Sequence, residues 1–219
     1  MTSAQRALAD DVLTTRLSET VIQDRRSEIH QAVLTQSHYL RQANFAAIHS
    51  RDLEFLFRAY DERWFAGLIR PALEGKRLRF RLSTRMTSAG GKTTRFRSSN
   101  GDVSYEIAIA CSLLFNGFRD ADRGISVCGI ECENRLQALQ RIFEHELIHL
   151  IEQVCWESSE CAAARFQDIA ARHFLHQANT HQLVTWRERA VKHGIRPGTI
   201  VSFVFEGRRL SGRRITLVW

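Results

Sequence analysis

The stretch LQALQRIFEHELIHLIEQV, residues 136–154, decides the reading of this chain. Its apolar residues return at helical spacing without a glycine or proline, which predicts one long helix from about residue 131 to 157. Within it, His145-Glu146-Leu147-Ile148-His149 fits the pattern H-E-x-x-H. Residues i and i+4 share one helical face, so both imidazoles can converge on a single Zn²⁺ at ~2.0–2.1 Å. Glu146 stands beside the first ligand and reaches a water at the metal without binding the metal itself. Its expected role is general base, passing the proton to the leaving amine. The flanking Ile142, Phe143, Leu147, Ile148, Leu150 and Ile151 predict that this helix is buried. Burying two histidines and a glutamate without partners costs several kcal/mol, which favours a functional site over a decorated surface.

A third ligand must come from elsewhere. Glu152 lies seven residues from His145, a rise of ~10.5 Å, too far for one ion. Cys155 points to another side of the helix. The candidates after the helix turns back are Glu157, Glu160 and Cys161, of which a carboxylate or a thiolate both suit zinc.

Outward from the helix, the chain divides by period. Residues 4–48 and 51–68 read as helical, with Pro71 beyond the second stretch. Arg77 to Leu82 alternates strictly, which predicts a half-buried strand. Lys92–Arg97 and Val103–Ala110 follow as strands separated by glycine-containing turns, and Ile125–Gly129 reads as a short fourth. Two further helices are expected, from the Ser158-Ser159 signal to His176 and from about Thr185 to His193. Residues 199–218 alternate again around Glu206-Gly207, as in a hairpin. The class is therefore α+β, with a small, mostly antiparallel sheet. The expected divisions are an N-terminal helical extension (1–50), a central domain (51–194) and a C-terminal β-hairpin (195–219).

The 219 residues carry a net charge of +7. Lys76, Arg77, Arg79, Arg81, Arg85, Lys92, Arg95 and Arg97 fall in one segment that has no acidic residue. Such a patch attracts polyanions, and Arg77 to Arg97 are the expected DNA contacts. The five cysteines, with no visible leader and no long apolar run, read as reduced thiols of a soluble cytoplasmic protein. Cys128 and Cys132 read as structural thiols, and His173, His176 and His181 as residues of the fold or surface.

The order of these pieces resembles the SprT-like zinc metallopeptidases, the group that includes Spartan-type proteases of DNA–protein crosslinks. The likeness spans about residues 51–182. It takes in Tyr60-Asp61-x-x-Trp64-Phe65-x-x-x-Ile69, the basic strand ending at Thr87-Ser88-Ala89-Gly90-Gly91, strand 103–110, the His-Glu helix, and Ala162-x-x-x-Phe166-Gln167-x-Ile169-Ala170. The resemblance implies a zincin-like core and a zinc-dependent endopeptidase working near DNA, with strand 103–110 pairing with the substrate main chain. Where the family usually has a His-Gly pair carrying the third ligand, this chain has Ala162 and Ala163, preceded by Cys161. The run Ser158-Ser159-Glu160-Cys161 resembles a bacterial branch with a cysteine in a serine-rich turn, which implies Cys161 as third ligand, with Glu160 next. A thiolate donates more charge than an imidazole and makes zinc a weaker Lewis acid. The rival expectation is a non-catalytic, zinc-stabilised module that binds DNA or protein.

Overall fold

In the computed structural model, residues 1–118, 124–192, 194, 200–205 and 208–213 are described. The architecture is α+β. Helix α6 (Arg135–Trp156) forms its axis, in contact with α1 (Ser3–Thr14), α2 (Glu19–Gln36), α5 (Cys111–Gly117) and α7 (Ala164–Phe174). It also packs on a three-stranded sheet of β1 (Arg77–Ser83), β2 (Gly91–Arg97) and β3 (Val103–Ala110). Helix α3 (Ser50–Trp64) covers β1, followed by the single turn α4 (Ile69–Ala72). Pro71 sits inside that first turn, where its missing N–H leaves no bond unmade.

The sheet order is β1-β3-β2, with β1 parallel and β2 antiparallel to β3. The sheet is thus mixed; the antiparallel pairs β4 (Ile125–Val127) with β5 (Ile130–Cys132) and β6 (Ile200–Phe205) with β7 (Arg208–Arg213) lie apart from it. Strand β3 is central, with both edges hydrogen-bonded. It therefore cannot accept a substrate strand, and the expectation for residues 103–110 is corrected: β2 is the edge that adjoins α6.

Three element boundaries also differ from expectation. Helix α2 stops at Gln36 because the Ser37 hydroxyl accepts from the Tyr39 and Leu40 N–H groups and donates to Asp52. Residues 131–132 pair in β5, and α6 starts only after the Asn134 side chain caps Gln137 N at 3.0 Å. Helix α7 starts at Ala164 instead of Ser158, since the Ser159 hydroxyl is engaged by His149 and Glu152. The expected Glu206-Gly207 turn and everything after residue 213 lie outside the described residues.

Leu8, Val12, Ile22, Ile29 and Val33 of α1 and α2 belong to the same core as Phe143, Leu147 and Ile151 of α6. The polar centre of that core is Glu144, fully buried. Arg26 forks onto both its oxygens (3.0 and 2.8 Å), Tyr60 donates at 2.8 Å, and His176 Nε2 lies at 3.0 Å. This network ties α2, α3 and the segment after α7 to the turn of α6 that also carries His145. No helix among the described residues is long and apolar enough to cross a membrane.

Candidate active site

His145 and His149 stand one turn apart on α6, and their Nε2 atoms face each other at 3.1 Å. Phe166 of α7 packs against both rings, with centroids 4.8 and 4.5 Å away. Burial lowers the pKa of both, that of His145 to about 3, where the other nearby histidines add to the effect. Two neutral imidazoles therefore bring their Nε2 atoms to a common point.

The outer nitrogens explain how the rings are held. His149 Nδ1 lies 2.6 Å from Ser159 Oγ, whose hydroxyl donates to Glu152 Oε2, also at 2.6 Å. Arg165 closes this chain on Glu152 Oε1 at 2.6 Å and lies over the Trp156 ring. Ser159 thus accepts from Nδ1–H, which leaves Nε2 as the bare electron pair. On the other ring, His145 Nδ1 faces Cys128 Sγ at 3.9 Å.

Cys161 joins the two histidines in a group whose ligand atoms lie within 4.8 Å of one another. Of the other candidates, Glu160 is exposed, and Glu157 caps α6 in a left-handed conformation with its side chain paired to Arg95 at 3.2 Å. Neither belongs to a metal-capable group among the described residues. A second such group, Cys128, His145 and His176, shares His145. His176 Nε2 is already engaged by Glu144, and burial drives the Cys128 thiol well above its ordinary pKa. Cys128 and His176 therefore back the His145 ring. Cys132 is buried too, its thiol pushed up to about 12.

No family model, curated protein or solved structure matches the chain. The donor set must be judged on its own geometry. Two nitrogens bound tetrahedrally at zinc distances stand about 3.3 Å apart, close to the 3.1 Å observed here. With its Nδ1–H on Ser159, His149 presents a bare Nε2 across that distance, and a cation shared with His145 Nε2 would satisfy both rings. The residues fit a bound metal ion, and the nitrogen and sulfur donors suit zinc.

Glu146, 3% exposed, turns toward β2. Thr93 Oγ1 lies 2.7 Å from its Oε2 and 2.9 Å from its main-chain oxygen. Burial raises its pKa to about 7, against the opposing hydrogen bonds from Thr93. Gly91 makes this approach possible, because a Cβ there would fall 2.6 Å from Glu146 Cγ and Oε1. A cavity of about 320 Å³ opens beside Glu146 and His145.

The basic segment is split by the pleat. Arg77, Arg79 and Arg81 are exposed on the face of β1 away from α6, and the register through Ala108 places Lys92 on that same face. Glu106 pairs with Arg81 at 2.9 Å, and Arg79 lies over Phe96, 40% exposed. Arg95 and Arg97 alternate to the opposite side, and Arg85 is exposed in the loop after β1. Sequence reasoning missed Thr93, Gly91, Ser159 and the bracing role of Glu152. The Ser158-Ser159 pair was a visible signal, but it read as a helix cap.

Proposed function

We propose that the chain is a zinc-dependent endopeptidase of SprT-like type, built on a zincin-like core. The observation that supports this best is the facing pair of imidazole Nε2 atoms beside a buried carboxyl group that opens onto a cleft. His145, His149 and Cys161 would hold the ion. When bound, zinc supplies a Lewis acid that lowers the pKa of water and polarises the scissile carbonyl. Glu146 takes a proton from the attacking water and returns it to the leaving amine. A carboxyl held near neutrality by burial suits both halves of that task. Thr93 fixes one carboxylate oxygen and leaves the other for the proton. The β2 edge offers main-chain groups on which an extended substrate can lie as an added strand, a mode blind to most side chains.

Casein or histone cleavage by zinc-loaded wild type and Glu146→Gln is the direct test. Loss of the base is expected to lower the rate roughly 10²–10⁴-fold with zinc retained. Equal cleavage by the two proteins would remove the catalytic reading and leave a metal-stabilised binding module. Zinc stoichiometry of Cys161→Ala tests the third ligand, and full retention at nanomolar free zinc rules it out.

The outer face of the sheet supports DNA contact as a second feature. Arg77, Arg79, Arg81 and Lys92 share this face with an exposed aromatic ring, the combination that binds backbone and stacks bases. This face is opposite the catalytic side of the sheet, so DNA would tether the protein without occupying the cleft. Affinity for single-stranded DNA should then fall steeply with salt, and Arg79→Ala with Arg81→Ala should flatten that slope.

A further inference from the structure

The 320 Å³ cavity beside the catalytic pair has a composition unlike the rest of this basic protein. No lysine, arginine or aspartate lines it. Its walls are residues 88–91, the end of β4, the turn of α6 before His145, and residues 179–181. Val127, Ile142 and Ala89 supply apolar surface. Its ionisable groups are His145, Glu146, Cys128 and His181. The first two belong to the chemistry proposed above; Cys128 is buried beside His145, and His181 Nδ1 accepts from the Leu183 N–H at 3.3 Å, as only a neutral ring can.

The geometry points to this cavity as a substrate side-chain subsite, taking one uncharged apolar side chain, of leucine or phenylalanine size, adjacent to the scissile bond. The inference rests on the peptidase reading, since a peptide lying along β2 with its carbonyl beside Glu146 must direct a neighbouring side chain into the space that Glu146 and His145 border. The volume is at the small end of ligand sites and is ample for one leucine or phenylalanine side chain. A lysine or arginine would find no counter-charge except the catalytic carboxylate, and an acidic side chain would be repelled by it. Either charge would be desolvated without a partner. Apolar surface, by contrast, gains free energy on leaving water.

Gly90 sets the width. A Cβ there would stand 3.1 Å from both Ile142 Cδ1 and His181 Cδ2, two groups on the cavity wall. The chain thus keeps a bare backbone where any side chain would narrow the subsite.

Fluorogenic peptides carrying Leu, Phe, Ala, Lys or Asp at each position flanking the cleaved bond provide the test. At one position, kcat/KM for Leu and Phe should exceed that for Lys and Asp roughly 10–200-fold, the range set by apolar pockets. Gly90→Ala should shift the preference from Phe toward Ala, and Ile142→Val, which removes one methyl from the opposite wall, should favour Phe further. Thermal unfolding of each variant separates lost folding from altered selection. Rates equal within twofold across all five residues at every position overturn the subsite while leaving the peptidase reading intact. Absence of any cleavage by wild type overturns the peptidase reading instead. In that event, peptide binding to zinc-loaded Glu146→Gln by fluorescence anisotropy decides the subsite: tighter binding of Leu and Phe peptides supports it, and equal or absent binding sinks it.

Discussion

Ser159 carries more of the site than its small size suggests. Its hydroxyl links His149 to a buried glutamate braced by Arg165. Glu152 is too far along α6 to reach an ion held by His145, yet it sets the tautomer of His149 through that one oxygen. Removing the hydroxyl lets the His149 ring rotate and leaves Glu152 with a single partner. Ser159→Ala is expected to weaken zinc binding 10–100-fold, the usual cost of losing such an outer hydrogen bond. Competition against a chelator of known affinity measures this. Unchanged affinity would mean that packing against Phe166 alone orients the ring.

At the scale of the element, α6 serves two networks from adjacent residues. His145 faces the cleft, whereas Glu144 turns into the core and is met by Arg26, Tyr60, His176 and Arg141. Arg26 is 4% exposed, so its loss leaves a buried carboxylate short of its principal counter-charge. Arg26→Ala should therefore cost about 3–5 kcal/mol, read from urea unfolding of the metal-free protein. A cost below about 1 kcal/mol would show that Arg141 and Tyr60 suffice. Little of this was legible in advance. Strand β1 and helix α3 announce themselves by period, because one face of each is covered and the other is not. Arg26 reads as one more cation on an amphipathic helix, since period records which face is buried but not which charge finds a partner 118 residues away. The same limit applies to Ser159 and to β3: a cap and a ligand brace use the same residue type, and alternation does not say whether a strand is central or at an edge.

The whole molecule holds an unusual number of imidazoles out of water, and this sets its response to acid. Burial keeps His145, His149, His173, His176 and His181 below the ordinary histidine range, with His145 at about 3. In the unfolded chain each titrates near pH 6.5. Below that pH the unfolded state binds more protons than the folded one, so each of these groups withdraws stability as pH falls toward its folded value. Glu146 works in the opposite sense. Its pKa is raised from 4.5 to about 7, so between those values the folded state carries the extra proton and gains stability as pH falls. Five imidazoles oppose one carboxyl, and the net slope is downward. The thermal midpoint of the metal-free protein should fall between pH 7 and pH 5. Glu146→Gln removes this opposing group, so its midpoint should fall more steeply over the same interval, although its core contacts are otherwise kept. Scanning calorimetry of both proteins across that range is decisive: parallel profiles would mean that Glu146 titrates as an ordinary surface carboxylate, and with that its assignment as a base held near neutrality would fail.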